Sequence, residues 1–233
     1  MTVTSPPIGV FVTPVTALQQ NCTTVWCTRT NRATVIDPGG SVDAILGQIA
    51  SRGLILDQIW ITHGHLDHAG AAAEMKEKSG VPIIGPHVAD QFWIDLIPSQ
   101  GERYGLAGVR SFTTDRWLSD GDTLSLGDTT WEVVHCPGHT PGHVIFFNRQ
   151  ARFAQVGDVL FQGSIGRTDF PQSNHGALLH AITRKLWPLG DDVTFVPGHG
   201  PHSTFGQERR TNPFVSDAAM TRAPIVRPAT GPS

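Results

Sequence analysis

Between Thr62 and Gly70 the chain reads THGHLDHAG, which gathers His63, His65, Asp67 and His68 within one turn-length segment. Imidazole and carboxylate are the donors that zinc, iron and manganese accept. In an extended segment residues two apart point the same way, so His63 and His65 can share one cation. Asp67 and His68 then open the next helix and can turn toward a second. A solvated loop has no reason to concentrate imidazoles directly behind the apolar run DQIWIT. Three later loops have related compositions: HCPGHTPGH from His135, VGDVL around Asp158, and PGHGPH around His199. The set contains no cysteine ligand, which disfavours a structural cysteine-type zinc site, and histidine with aspartate typifies sites that hold water. Taken singly, Asp37 in IDPGG and Asp158 in VGD could each be turn residues. His87, His175, His180 and His202 read as ordinary hydrogen-bonded histidines.

Each of these loops follows a run that should be a strand, where rigid backbone can hold a functional group. Strands are predicted over IGVFVTPV, TTVWCT and ATVIDPGG, each rich in β-branched or aromatic residues and bounded by Pro, Gly or Asn. The stretch SVDAILGQIASRG spaces Val42, Ile45, Leu46 and Ile49 as a helix, with Ser41 as N-cap and glycine as stop. After the strand DQIWIT and the histidine turn, AGAAAEMKEKSG predicts a second helix ending at glycine. VPIIGP predicts a short strand, and HVADQFWIDLI an amphipathic helix. Residues 98–115 read as a glycine-rich, mobile loop and a candidate cleft wall. Strands resume in DTLSLG, TTWEVVHCP, GHVIFFN and RFAQVGD, followed by a helix over 176–187 and the strand DDVTFVPGHG. The pattern implies two sheets with helices packed outside, as a single domain over 1–222. The proline-rich APIVRPATGPS over 223–233 reads as a disordered tail.

The chain has 233 residues, 39% hydrophobic and 16% charged, which suits a soluble globular protein able to bury a core. A formal charge of −3 argues against nucleic acid or an anionic membrane as partner. The N-terminus lacks the charge and apolar run of a signal peptide, and no apolar stretch is long enough to span a bilayer. A cytoplasmic location is the expectation. Three cysteines, Cys22, Cys27 and Cys136, an odd number with no Cys-x-x-Cys motif, argue against a disulfide framework. Cys22 and Cys27 read as small buried hydrophobes, while Cys136 lies beside a histidine-rich turn.

The segment THGHLDH fits the T-H-x-H-x-D-H signature of the metallo-β-lactamase-fold hydrolases, and GHTPGH, GD and PGHG follow in that family's order. The resemblance covers nearly the whole chain, and within the superfamily it is similar to short bacterial glyoxalase II-type proteins, the hydroxyacylglutathione hydrolases. It implies an α/β (α+β) fold: a four-layer αβ/βα sandwich, two mixed sheets with helices outside, and metals in a cleft at one sheet edge. Carried over, His63, His65 and His139 would bind a first metal and Asp67, His68 and His199 a second. Asp158 would bridge the two, and Asp67 and Asp158 would also serve catalysis. The implied cofactors are two divalent metal ions, zinc first, with iron or manganese accommodated by the same donors. His135 and His143 match no ligand position and are assigned supporting roles. Asp37 matches an acidic turn of the family and reads as structural. Arg167, in GSIGRTDF, occupies about the place of a basic glutathione contact, although no tyrosine accompanies it. Its other reading is that it pins its own loop through Asp169.

Two cations sharing a water would generate a nucleophile at neutral pH without serine or cysteine. The implied reaction is hydrolysis of a small-molecule thioester such as S-lactoylglutathione. The alternative from the same resemblance is a persulfide dioxygenase, which shares a GRTDF-like loop but uses one iron held by two histidines and an aspartate. His199 favours the hydrolase, because it completes a second site. A non-catalytic metal-binding protein and a nuclease are the remaining readings. The full ligand set disfavours the first, and the acidic balance disfavours the second.

Overall fold

A computed structural model describes residues 7–106 and 108–222. The first sheet is formed by β1 (Ile8–Val15), β2 (Gln20–Cys27), β3 (Arg32–Ile36), β4 (Ile55–Trp60) and β5 (Ile83–Ile84), in that order. β1, β2 and β3 pair antiparallel, and β3, β4 and β5 parallel. The second sheet draws on β6 (Thr123–Leu126), β7 (Thr129–His135), β8 (Val144–Asn148) and β9 (Phe153–Gly157). A small hairpin of β10 (Leu160–Phe161) and β11 (Ser164–Ile165) precedes the last strands, β12 (Thr194–Pro197) and β13 (Ser203–Thr204). Its order is β13-β12-β9-β8-β7-β6, with only β12 and β9 parallel. Helices are α1 (Val42–Ser51), α2 (Leu66–Ala69), α3 (Ala72–Ser79), α4 (Gln91–Asp95) and α5 (Ile97–Tyr104). After β11 come α6 (His175–Ala181), α7 (Phe205–Thr211) and α8 (Asp217–Arg222).

Strand alternation distributes the side chains among three cores. On β8, Val144 and Phe146 face the space between the sheets while Ile145 and Phe147 face α6 and its continuation. On and just after β4, Trp60 points inward while Ile59 and Ile61 pack under α1 and α3. A strand covered on both faces must read as an unbroken apolar run, which is why VIFFN carries no polar alternation. Between the sheets, Trp60 meets Trp131 and Phe146 at ring separations of 5.5 and 5.0 Å. The three cores and two outer helical layers make the four-layer αβ/βα sandwich that the family resemblance implied. Removing Phe146, fully buried at its centre, should cost about 3–5 kcal/mol.

Three local expectations are corrected. Ser41 does not cap α1: its backbone is left-handed (φ 55°) and its side chain makes no cap hydrogen bond. Residues 98–115 are not one loop, because α5 takes up Ile97–Tyr104 and only the remainder is irregular. Leu106, Val109 and Phe112 pack that remainder onto the core beneath α1 and α3. The predicted helix HVADQFWIDLI breaks into a tight 3-10 turn at Val88–Asp90 followed by α4. The proposed tail over 223–233 lies outside the described residues.

What the fold contributes to function is an edge. β3, β4 and β5 run parallel in one sheet, and β7, β9 and β12 share a direction in the other. Their C-terminal ends deliver Asp37, the His63–His68 turn, Asp90, His139, Asp158 and His199 to one place. The sheets are joined there by backbone bonds, Asn21 N–H to Gly198 O at 2.7 Å and Val144 N–H to Thr62 O at 2.8 Å. The Asn21 amide also donates to Pro197 O and Gly200 O.

Candidate metal centre

Three ring nitrogens converge in a first cluster. His65 Nδ1 lies 3.1 Å from both His63 Nε2 and His139 Nε2. In a second cluster, Asp67 Oδ2 is 3.0 Å from His199 Nε2 and 3.7 Å from His68 Nε2. Asp158 reaches both: Oδ1 is 3.3 Å from His68 Nε2, and Oδ2 is 3.5 Å from His139 Nε2 and 3.8 Å from His199 Nε2. All seven residues proposed from the sequence as ligands are therefore brought together.

The hydrogen bonds behind these atoms decide which nitrogen each ring presents. Thr62 Oγ1 donates to Asp37 Oδ2 at 2.6 Å, so it accepts from His63 Nδ1 at 3.0 Å. His139 Nδ1 donates to Arg167 O at 2.8 Å, His68 Nδ1 to Asp37 Oδ2 at 2.9 Å, and His199 Nδ1 to Leu18 O at 3.1 Å. Four imidazoles thus hold a proton at Nδ1 and direct Nε2 inward. His65 is the exception. It presents Nδ1, and its Nε2 is buried with no hydrogen-bond partner. Its ring stands edge-on to Trp93 at 4.4 Å and to Phe170 at 4.9 Å.

Converging lone pairs repel one another unless something positive lies between them. Burial, reinforced by neighbouring histidines, holds the pKa of His63 well below the ordinary histidine value, and burial and His139 depress His65 to about 3. Burial also lowers His139. These rings are neutral and ready to ligate without losing a proton. The second cluster behaves differently. Burial opposes charge on His68, but Asp158 and Asp67 outweigh it and hold its pKa well above normal. Asp158 is itself held far below the carboxylate range by His68, against its burial. That pocket demands positive charge. His68 Nε2 and Asp158 Oδ1, both buried, face each other yet are too poorly aligned to satisfy one another by hydrogen bonding. Orphaned donors of this kind, with neutral imidazoles alongside, fit divalent metal ions.

Asp37, His63 and His68 also lie close enough to form a group. Asp37, however, accepts from Thr62 N, Thr62 Oγ1 and His68 Nδ1, so its oxygens are spent on orienting ligands. This agrees with the structural role read from its turn. His143 accepts the Asp158 N–H at 3.0 Å and stacks on His63 at 4.6 Å. His135 donates to Pro141 O and stacks on His87. Both support rather than line the centre. Arg167 is split: its carbonyl orients His139, while its exposed guanidinium pairs with Asp169 at 2.8 Å and lies 4.6 Å over the Phe170 ring. Cys22, Cys27 and Cys136 are all buried and free, and burial pushes the Cys136 thiol up to about 12.

Sequence reasoning missed Thr62, Leu18, Trp93, Phe170 and Asp90. Asp90 is fully buried and accepts three hydrogen bonds, from Gly64 N, Thr140 Oγ1 and Gly142 N. Burial raises its pKa to about 6, against the pull of those donors. No signal in HVADQFW distinguishes it from a solvated helix acid.

Comparison with known proteins agrees with this geometry. Residues 15–199 match the model of the metallo-beta-lactamase superfamily. The hydroxyacylglutathione hydrolase GloC of Haemophilus influenzae is 44% identical over 210 residues, covering 90% of this chain and 99% of the relative. The crystal structure of the B3 metallo-beta-lactamase BLEG-1 is 32% identical with a TM-score of 0.82, over 89% of this chain and 99% of that one. The structure of TTHA1623 in a di-iron-bound form is 35% identical with a TM-score of 0.80, over 88% and 99%. Among the described residues no helix is long and apolar enough to cross a membrane. With its ligand-bearing loops, fold and relatives in agreement, the chain belongs to the metallo-beta-lactamase superfamily and is a metallo-hydrolase.

Proposed function

We propose that the protein is a two-cation hydrolase acting on a thioester of the S-lactoylglutathione class. The observation that carries this reading is Asp158, which lies within 3.8 Å of histidine nitrogens from both clusters. In this assignment His63, His65 and His139 hold one cation, Asp67, His68 and His199 the other, and Asp158 is shared. Zinc, iron and manganese all suit these donors. When bound, such a pair would lower the pKa of a coordinated water toward roughly 7 and polarise a carbonyl.

The remaining tasks belong to the chain. The Nδ1 contacts to Thr62, Arg167 O, Asp37 and Leu18 O stop four ligand rings from rotating, which keeps the centre preorganised. Asp158 and Asp67 supply the negative charge that offsets the cations. A thiolate leaves readily and needs no strong general acid. Arg167 supports a carboxylate-bearing substrate. Its pair with Asp169 is solvent-exposed, with side chains 69% and 65% accessible, so it contributes little and can be exchanged for a substrate carboxylate. The name of the 44%-identical relative points the same way.

The test is turnover of S-lactoylglutathione by the metal-loaded protein, followed by release of free thiol. Stoichiometric thiol release supports the reading. Oxygen uptake with a glutathione persulfide, and no thioester cleavage, would instead establish the one-iron dioxygenase.

A further inference from the structure

Every histidine of the two clusters except His65 has its outward nitrogen tied to a hydrogen-bond partner. His65 therefore owes its position to its backbone and to the rings beside it. The backbone neighbour is Gly64, whose N–H is taken by Asp90 Oδ2 at 2.9 Å. The same oxygen accepts from Thr140 Oγ1 at 2.7 Å, and Oδ1 accepts from Gly142 N at 2.5 Å. Thr140 directly follows His139. One buried carboxylate thus grips both loops that carry the His65 and His139 nitrogens.

The packing around Asp90 is equally tight. A Cβ on Gly64 would lie 2.7 Å from Trp93 Cβ and 3.0 Å from Asp90 O, and one on Gly142 would lie 2.5 Å from Asp90 N and 2.7 Å from its Oδ1. Both positions are glycine because the turn bearing Asp90 presses directly on them. His87 N–H adds a backbone bond to Gly142 O at 3.1 Å. Trp93, one turn further along in α4, stands edge-on to His65.

We infer that Asp90 is the positioning residue of the first cation site: it fixes the bite between His65 and His139, and so sets the affinity of that site alone. This rests on the two-cation assignment above. The Asp90 carboxylate bonds to the loops of the first cluster, at Gly64, Thr140 and Gly142, so the two sites should respond differently to its loss. Asp90→Asn keeps the shape but removes one acceptor oxygen, leaving one loop N–H unpaired. Outer hydrogen-bond partners of metal ligands typically change metal affinity by about 10–100-fold.

The experiment is a cobalt(II) titration of metal-free protein, read by the visible absorption of the bound ion. It uses two backgrounds, His199→Ala to report the first site and His65→Ala to report the second. Adding Asp90→Asn should weaken cobalt binding by about 10–100-fold in the first background and by less than about threefold in the second. Thr140→Val, which removes a single bond from the clamp, should act in the same direction by a smaller factor and serves if the aspartate variant does not fold. Equal weakening in both backgrounds, or none in the first, overturns the inference while leaving the two-cation assignment intact. Failure of the otherwise unsubstituted protein to bind cobalt would sink the assignment, and the inference with it.

Discussion

The two clusters meet at Asp158 but are built on different principles. The first is all imidazole and lies deep in the fold, with His63, His65 and His139 between 0 and 8% exposed. Burial keeps those rings neutral. The second mixes carboxylate with imidazole, and the His199 side chain is 30% exposed. Its supports differ as well. Asp37 orients His68 from inside, whereas His199 leans on Leu18 O in the exposed turn between β1 and β2. A fully enclosed neutral cage gives a rigid site, and an open, charged one leaves room for substrate and water. The difference suggests a division of labour: one cation anchored, the other at the working face.

The hardest way to break this arrangement is at the point the clusters share. Asp158→Asn removes a charge from both sides and should lower hydrolysis by several orders of magnitude, with both cations bound more weakly and circular dichroism unchanged. A variant that keeps two cations and near-normal turnover contradicts the shared role.

Asp37 serves both clusters from behind, through Thr62 to His63 and directly to His68. Its left-handed backbone (φ 56°) is one that asparagine also tolerates. Asp37→Asn should therefore fold, yet weaken both cations by about 10–100-fold. Loss confined to one site would show that only one of its two contacts counts.

Arg167 separates substrate from scaffold, because its backbone holds His139 while its exposed guanidinium engages Asp169 and the Phe170 ring. Arg167→Ala should raise KM for a glutathione thioester about 5–30-fold, equivalent to about 1–2 kcal/mol, with kcat kept. A small thioester without carboxylates should be cleaved equally by both proteins. An equal loss on both substrates would assign the guanidinium to the loop.

The smallest effect is a matter of pH. Burial raises the pKa of the Asp90 carboxyl to about 6, above the roughly 3.9 of an exposed aspartate, so the folded metal-free protein binds more protons than the unfolded chain between those values. Its contribution then weakens stability as pH rises through that window and is constant above it. Asparagine does not titrate. The stability of Asp90→Asn relative to the parent, from urea unfolding, should therefore climb from about pH 4 to about pH 6 and then level off. A flat difference would contradict the burial of the carboxylate.

Much of this was legible in the sequence because it is local. The spacing of His63, His65, Asp67 and His68 states its own geometry, and apolar runs such as VIFFN announce strands covered on both faces. What could not be read is what arises between distant segments. Asp90 meets Thr140 and Gly142 across 50 and 52 positions, and no periodicity marks an acid that will be buried by another loop. The carbonyls of Leu18 and Arg167 orient His199 and His139 through backbone that any residue would supply. Ser41 misled for the opposite reason: a favoured cap residue was placed by the tight 37–41 turn in a conformation from which it cannot cap.

The central claim is that two cations share one centre, and metal content tests it most directly. Protein loaded with zinc and freed of excess should contain about two equivalents by mass spectrometry, and His199→Ala about one, held by the enclosed histidine cage. One equivalent in both proteins would contradict the account.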